Sequence, residues 1–312
     1  MKVIDFQTIS GLNIKPEVCV GWIEESFALQ YSANLPAKVC LHLPDNVFFT
    51  TMPCHIPAIH RFGTKVVYRF PEHIPSLKSE ILLYDDQEGK LLALLDGTWI
   101  TAMRTGAVAC LCINLLRNSR TQKYAFIGLG NTARATLLCL LNSNKKEHFH
   151  VYLQAYKNQE ISFIKRFESF PNVTFSVVHS PRELITDADV VVSSVTAADN
   201  LIAEDDWFKK GALVVPIHTR GFQNCDLFFD RVFADARNHV SQFKYFDRFK
   251  YFDEISNVLS GIHPGRTNDQ ERILAYNIGI GLHDIYFASK IFELAISSNH
   301  IELFNVTEKF WI

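Results

Sequence analysis

The segment Gly128-Leu-Gly130-Asn131-Thr132-Ala133 carries the clearest chemistry in the chain. It follows the short apolar run Tyr124-Ala-Phe-Ile127 and leads into Arg134-Ala-Thr-Leu-Leu-Cys-Leu-Leu141, which suits a helix. Strand, G-x-G-x-x-A turn and helix, in that order, form a cradle for a dinucleotide. Gly128 permits the tight turn, Gly130 lets the backbone approach a pyrophosphate, and Ala133 allows close helix packing. The free amides of the first helical turn, around Asn131 and Thr132, face the negative charge. The expected cofactor is NAD or NADP, and the chain is expected to be an enzyme. An NAD site expects an acidic residue after the second strand to bind the adenosine ribose. The chain reads Leu153-Gln-Ala-Tyr-Lys157 there. Lys157 either meets a 2′-phosphate or is a solvated loop lysine. Ser194 and Thr196, in Ser193-Ser-Val-Thr196, either line the cofactor cleft or simply end the fourth strand.

The elements that must hold this cradle follow from the pattern around it. From about residue 121 to 235 short apolar runs alternate with helical stretches. The runs are Tyr124 to Ile127, His150 to Leu153, Val173 to Val178, Asp189 to Ser193, Ala212 to Ile217 and Arg231 to Ala234. Short runs rich in β-branched and aromatic residues suit strands buried on both faces, so the fold class is α/β with a doubly wound parallel sheet. The first 120 residues read as α+β. A helix is expected around Lys15 to Tyr31, strands at Lys38 to His42, Val47 to Met52, Lys65 to Arg69, Ile81 to Tyr84 and Lys90 to Leu95, and a long apolar helix from Thr101 to Leu116. A second long helix is expected from Glu271 to Ser298, returning to the N-terminal domain. The expected division is therefore a discontinuous α+β substrate-binding and dimerisation domain, residues 1–117 and 270–312, around a Rossmann domain, residues 118–269.

Composition narrows the function classes. The 312 residues are 48% hydrophobic and 21% charged with a net charge of −2, which gives a core for two domains but no broad attraction to nucleic acid or an anionic membrane. No signal-peptide or membrane-spanning run is legible, so the cytoplasm is expected. The seven cysteines are odd in number and mostly embedded in apolar runs, which reads as reduced and buried. The twelve histidines form no H-x-x-x-H or H-E-x-x-H group, so no metal site is expected.

Several ordered segments resemble the ornithine cyclodeaminase and mu-crystallin family. They are Thr64-Lys-Val-Val-Tyr-Arg-Phe-Pro71, Pro75 to Gly89, Asp96-Gly-Thr-Trp-Ile-Thr-Ala-Met-Arg-Thr-Gly-Ala107, and Tyr276-Asn-Ile-Gly279 through His283-Asp284. The resemblance implies an NAD(P)-dependent homodimer that exchanges hydride at the α-carbon of an amino acid, imino acid or keto acid. It implies Lys65 as the active-site lysine and Arg104 as the carboxylate clamp, whose planar fork matches a carboxylate. It further places Lys38, Met52 and Ser76 at the substrate, and Asn277 and Gly279 at the cofactor.

One departure bears on the reaction. Where the family's cyclodeaminases carry an acid–base aspartate in a G-x-D-x-P-G-x-x-E-L segment, the stretch Ile217 to Leu227 puts Arg220. An arginine does not release its proton at working pH and cannot replace that carboxylate. Arg220 either binds a second substrate carboxylate or is a loop cation, and His218 either carries the proton or ends a strand. A dehydrogenase or imine reductase is the leading expectation. The alternatives are an ammonia-lyase that makes proline from ornithine, and a non-catalytic NADP-dependent binder of a small ligand.

Overall fold

The computed structural model describes residues 1–195, 201–217, 222, 224–295 and 299–300. The chain forms two compact units, one of Met1–Ile14, Tyr31–Thr101 and Asp284–Ile312, the other of Lys15–Gln30 and Ala102–His283.

The first unit is built on a mixed seven-stranded sheet. It starts with β1 (Lys2–Ile4) and α1 (Phe6–Gly11), whose N-terminus is capped by the Asp5 carboxylate accepting the Thr8 N–H at 2.8 Å. An antiparallel meander follows: β2 (Val39–His42), β3 (Phe48–Ile56), β4 (Arg61–Arg69), β5 (Leu77–Asp85) and β6 (Leu91–Asp96). β1 joins β6 in parallel. In strands β3 to β6 the buried residues fall on alternate positions, the period expected when one face of a sheet is covered. β2 is an edge strand exposed at every residue, and Cys40 on it is exposed, against the expectation that the cysteines are buried. The other six are buried, and all seven are free thiols.

The second unit is built on an eight-stranded sheet in which every pairing is parallel. Its helices are α2 (Pro16–Ala28), α3 (Thr98–Leu116, which enters from the first unit), α4 (Asn131–Ser143), α5 (Gln159–Arg166), α6 (Pro181–Ile185), α7 (Arg237–Val240) and α8 (Ile255–Leu259). Its strands are β7 (Lys123–Ile127), β8 (Phe149–Gln154), β9 (Val173–Val178), β10 (Val190–Ser193), β11 (Leu213–Pro216), β12 (Arg231–Ala234), β13 (Phe252–Glu254) and β14 (Ile273–Tyr276), in the spatial order β13-β12-β14-β11-β10-β7-β8-β9. β10, β11, β12 and β14 are buried at every position, as strands covered on both faces require. The chain runs outward from β7 to β9 and then returns to the other side of β7 at β10. The topological switch therefore falls between β7 and β10, where open α/β sheets hold ligands beyond their carboxyl ends. Among the described residues one helix, α3, is long and apolar enough to cross a membrane, and it is mostly buried as a core helix.

The expected helix from Glu271 to Ser298 is not continuous. Ile273-Leu-Ala-Tyr276 is strand β14, inserted between β11 and β12, and helix α9 (Gly281–Leu294) begins only after a turn. A four-residue apolar run does not distinguish a buried strand from a helix segment by periodicity. The left-handed backbone at Gly279, φ +85°, ends any helix there. α9 is joined to the first unit from Asp284 onward, and a last short strand, β15 (Asn299–His300), pairs with β1.

Candidate active site

In the second unit the loop from β7 to α4 has the form of a dinucleotide cradle. Gly128 has φ +79°, and a Cβ there would fall 2.8 Å from the carbonyl carbon of Ser194, so its left-handed backbone and the Ser194–Val195 peptide together exclude a side chain. Gly130 is the N-cap of α4 and supplies no side-chain cap, and the space around its Cα is open. The first-turn amides, with Asn131 exposed and Thr132 half-buried, therefore have no side-chain partner from the cap. Ala133, in the first turn of α4, is fully buried. Ser194 follows β10 at the switch point, and its buried hydroxyl has no hydrogen-bond partner among the described residues. An orphaned buried donor beside uncapped helix amides fits a phosphate or ribose oxygen. Thr196 lies outside the described residues, as do His218 and Arg220.

The same unit fixes Arg104. It lies on α3 and is 7% exposed. A Cβ on Gly279 would fall 2.6 Å from Arg104 Nη1, which places the guanidinium directly against the Gly279 backbone. Gly279 is itself held, because its N–H donates to Asp235 Oδ2 at 2.5 Å, and Asp235 Oδ1 accepts the Ala236 N–H at 3.0 Å. Asp235 is fully buried at the end of β12. Asn277 turns inward: its N–H donates to the Pro216 carbonyl, its Nδ2 to the Ala275 carbonyl, and its Oδ1 accepts from the Cys112 thiol. Its amide thus pegs β14 to β11 and α3. Nearby, Asp226 is 1% exposed and accepts a hydrogen bond from the Tyr276 hydroxyl. Burial pushes its carboxyl up to about 6, against a smaller lowering by Tyr276.

The first unit holds Lys65 on the covered face of its sheet. The register aligns Met52, Lys65, Ile81 and Leu95 across β3 to β6, and all four are buried. Lys65 Nζ lies 2.8 Å from Asp284 Oδ2, with side-chain exposures of 1% and 0%. A buried ammonium among apolar neighbours requires such a counter-charge. Asp284 comes from the first turn of α9, where a carboxylate is also favoured by the helix dipole. Cys54, two residues from Met52, has its thiol pushed up to about 12 by burial and then by the Asp284 charge, so it is no nucleophile at neutral pH. Two residues before Ile81, the buried Ser79 hydroxyl meets the Thr101 hydroxyl at 2.8 Å.

The remaining expected substrate residues fall elsewhere in this unit. Ser76 precedes β5 at the turn from β4, where its carbonyl accepts the Phe70 N–H at 2.9 Å, and Lys38 is exposed just before β2. Ser79, Thr101, Asp284 and Asp235 were not singled out from sequence. Ser79 was available from the alternation Leu77, Ser79, Ile81, Leu83. Asp284 stood in a quoted segment without a role. Asp235 carries no sequence signal, since it acts through a backbone amide 44 residues away.

A parallel sheet with an uncapped phosphate cradle at its switch point, in one chain with a buried lysine–aspartate pair, defines a dinucleotide-dependent enzyme. Residues 4–299 match the model of the ornithine cyclodeaminase/mu-crystallin family, and the chain belongs to that family. The nodulation efficiency protein NfeD of Rhizobium meliloti is 26% identical over 274 residues, 83% of this chain and 84% of that protein. The structure of Thermococcus litoralis Delta(1)-pyrroline-2-carboxylate reductase, in complex with NADH and L-proline, superposes with a TM-score of 0.86 at 22% identity, covering 96% of this chain and all of that one. An archaeal alanine dehydrogenase dimer with bound NAD gives 0.83 at 20% identity, covering 97% and 99%.

Proposed function

We propose that the protein is an NAD(P)-dependent dehydrogenase or imine reductase acting on an amino acid or its imino or keto acid. The reading rests most on the buried pair of Lys65 and Asp284, because an ammonium held this way is costly to bury and is of use where charge develops. Bound at Gly128 to Ala133 and Ser194, the nicotinamide cofactor would supply or accept a hydride at the substrate α-carbon. Arg104 clamps the substrate carboxylate, its fork held in place by Gly279, which Asp235 in turn fixes. Lys65 stabilises the charge that develops on the substrate nitrogen or oxygen, or delivers the proton to it, and Asp284 keeps the ammonium oriented. Met52 lines the same sheet face, with Lys38 and Ser76 as outer substrate contacts. Arg220 reads a second carboxylate and His218 carries a proton. The protein works in the cytoplasm as a homodimer, the state named for the archaeal alanine dehydrogenase.

Absorbance at the reduced-nicotinamide band tests this, with NADH or NADPH, ammonia or an amine, and a panel of keto acids and cyclic imines. Oxidation with one substrate class is the expected result. No oxidation across the panel, together with proline and ammonia formed from ornithine, would replace the reductase with a redox-neutral lyase.

A further inference from the structure

The end of β8 departs from an NAD site in a way that the side chains around it extend. Rossmann domains hold the adenosine ribose diol with a carboxylate at this strand end, and that carboxylate repels a 2′-phosphate. Here β8 ends at Gln154, and Ala155-Tyr156-Lys157-Asn158 follows. Glu160, the next acid along the chain, is turned inward: it is 9% exposed and accepts the Tyr156 N–H at 3.1 Å. Lys157 and Asn158 both have left-handed backbones, φ 49° and 60°, which turn the chain sharply before α5. The Lys157 ammonium lies 5.1 Å from the centre of the exposed Tyr156 ring.

A second cation reaches the same edge from α4. β7 and β8 are parallel neighbours, so the start of α4 and the loop after β8 lie at one end of the sheet. Arg134 lies in the first turn of α4, and its Nη2 donates to Ser162 Oγ on α5 at 3.4 Å. Its Nε is buried without a hydrogen-bond partner among the described residues. Burial, and then the neighbouring charge of Arg166, hold its guanidinium below the usual range. A dianion bound beside Arg134 would offset the repulsion from Arg166.

We propose that Lys157 and Arg134 form a 2′-phosphate site and that the protein selects NADP(H) over NAD(H). The inference rests on the dinucleotide reading above, and it names the cofactor that reading leaves open. Fluorescence titration of the purified protein with NADPH and NADH, without substrate, separates the two. NADPH is expected to bind at least about tenfold tighter, as a charge-assisted contact allows, and to lose more affinity than NADH as salt rises. Lys157→Ala, at an exposed position, is expected to weaken NADPH about tenfold and to leave NADH within about twofold. Arg134→Gln should act in the same sense. Equal or tighter binding of NADH, or an unchanged NADPH affinity in Lys157→Ala, overturns the inference and leaves the dinucleotide site standing. Binding of neither nucleotide overturns both.

Discussion

Replacing Asp284 by Asn would leave the Lys65 ammonium on a buried sheet face opposite a neutral amide. The pair is 2.8 Å apart and 1% and 0% exposed, so water cannot take over the lost role of the carboxylate. Breaking one partner of such a pair costs about 3–5 kcal/mol, much more than a surface pair would. At about 2.1 cal/mol/K of unfolding entropy per residue, each kcal/mol moves the melting temperature of a chain of this length by about 1.5 °C, so the variant should melt roughly 5–8 °C lower. Differential scanning calorimetry at neutral pH reads this directly. The double variant Lys65→Met with Asp284→Leu removes both charges and should recover most of the loss, because well-packed apolar residues replace a buried pair at little cost. Activity separates the pair's two contributions: the double variant should be stable and inactive. The reasoning is refuted if Asp284→Asn melts within a degree of the parent, or if the double variant is no more stable than the single one.

Three further outcomes follow from geometry already described. Gly128→Ala puts a Cβ 2.8 Å from the Ser194 carbonyl carbon at φ +79°, so it should cost roughly 1–3 kcal/mol and abolish binding of NADH and NADPH in the same titration. Gly279→Ala must displace the Arg104 guanidinium, whose Nη1 lies 2.6 Å from the new Cβ; kcat/KM should fall by about 100-fold, and an unchanged kcat/KM would contradict the assigned role. Asp226 keeps its proton up to about 6 when folded, against an ordinary 3.8, while the unfolded chain releases it near 4. Stability from this group is therefore lost as pH rises from about 4 through 6, by about 3 kcal/mol. Asp226→Asn should flatten that slope in urea melts at pH 4.5 and 7, and an unchanged slope would remove Asp226 as its cause.

The parallel sheet was legible because its strands are buried on both faces and separated by helical stretches. Each of the expected runs from Tyr124 to Ala234 became a strand, with ends shifted by at most a residue. β14 was not, because four apolar residues before a glycine look like the start of the apolar helix that follows. The three-residue strands β1 and β13 are too short to show a period. At the site, Gly128 and Ala133 carried their reasons in their spacing, and Lys65 and Arg104 came through resemblance. Asp284 lay in a segment carrying the resemblance but without a role, and its pairing with Lys65, like that of Asp235 with the Gly279 amide, joins residues more than forty apart, which no local pattern encodes.

The position of β14 also sets an order of assembly. β12 pairs with β14, and β14 with β11, so β12 and β13 have no place in the sheet until residues 273–276 arrive. At ribosomal speeds of about 5–20 residues per second, β11 waits several seconds with an apolar edge unpaired. During that interval the nascent chain presents a hydrophobic strand edge to its surroundings, so the arrival of residues 273–276 governs how the parallel sheet escapes aggregation.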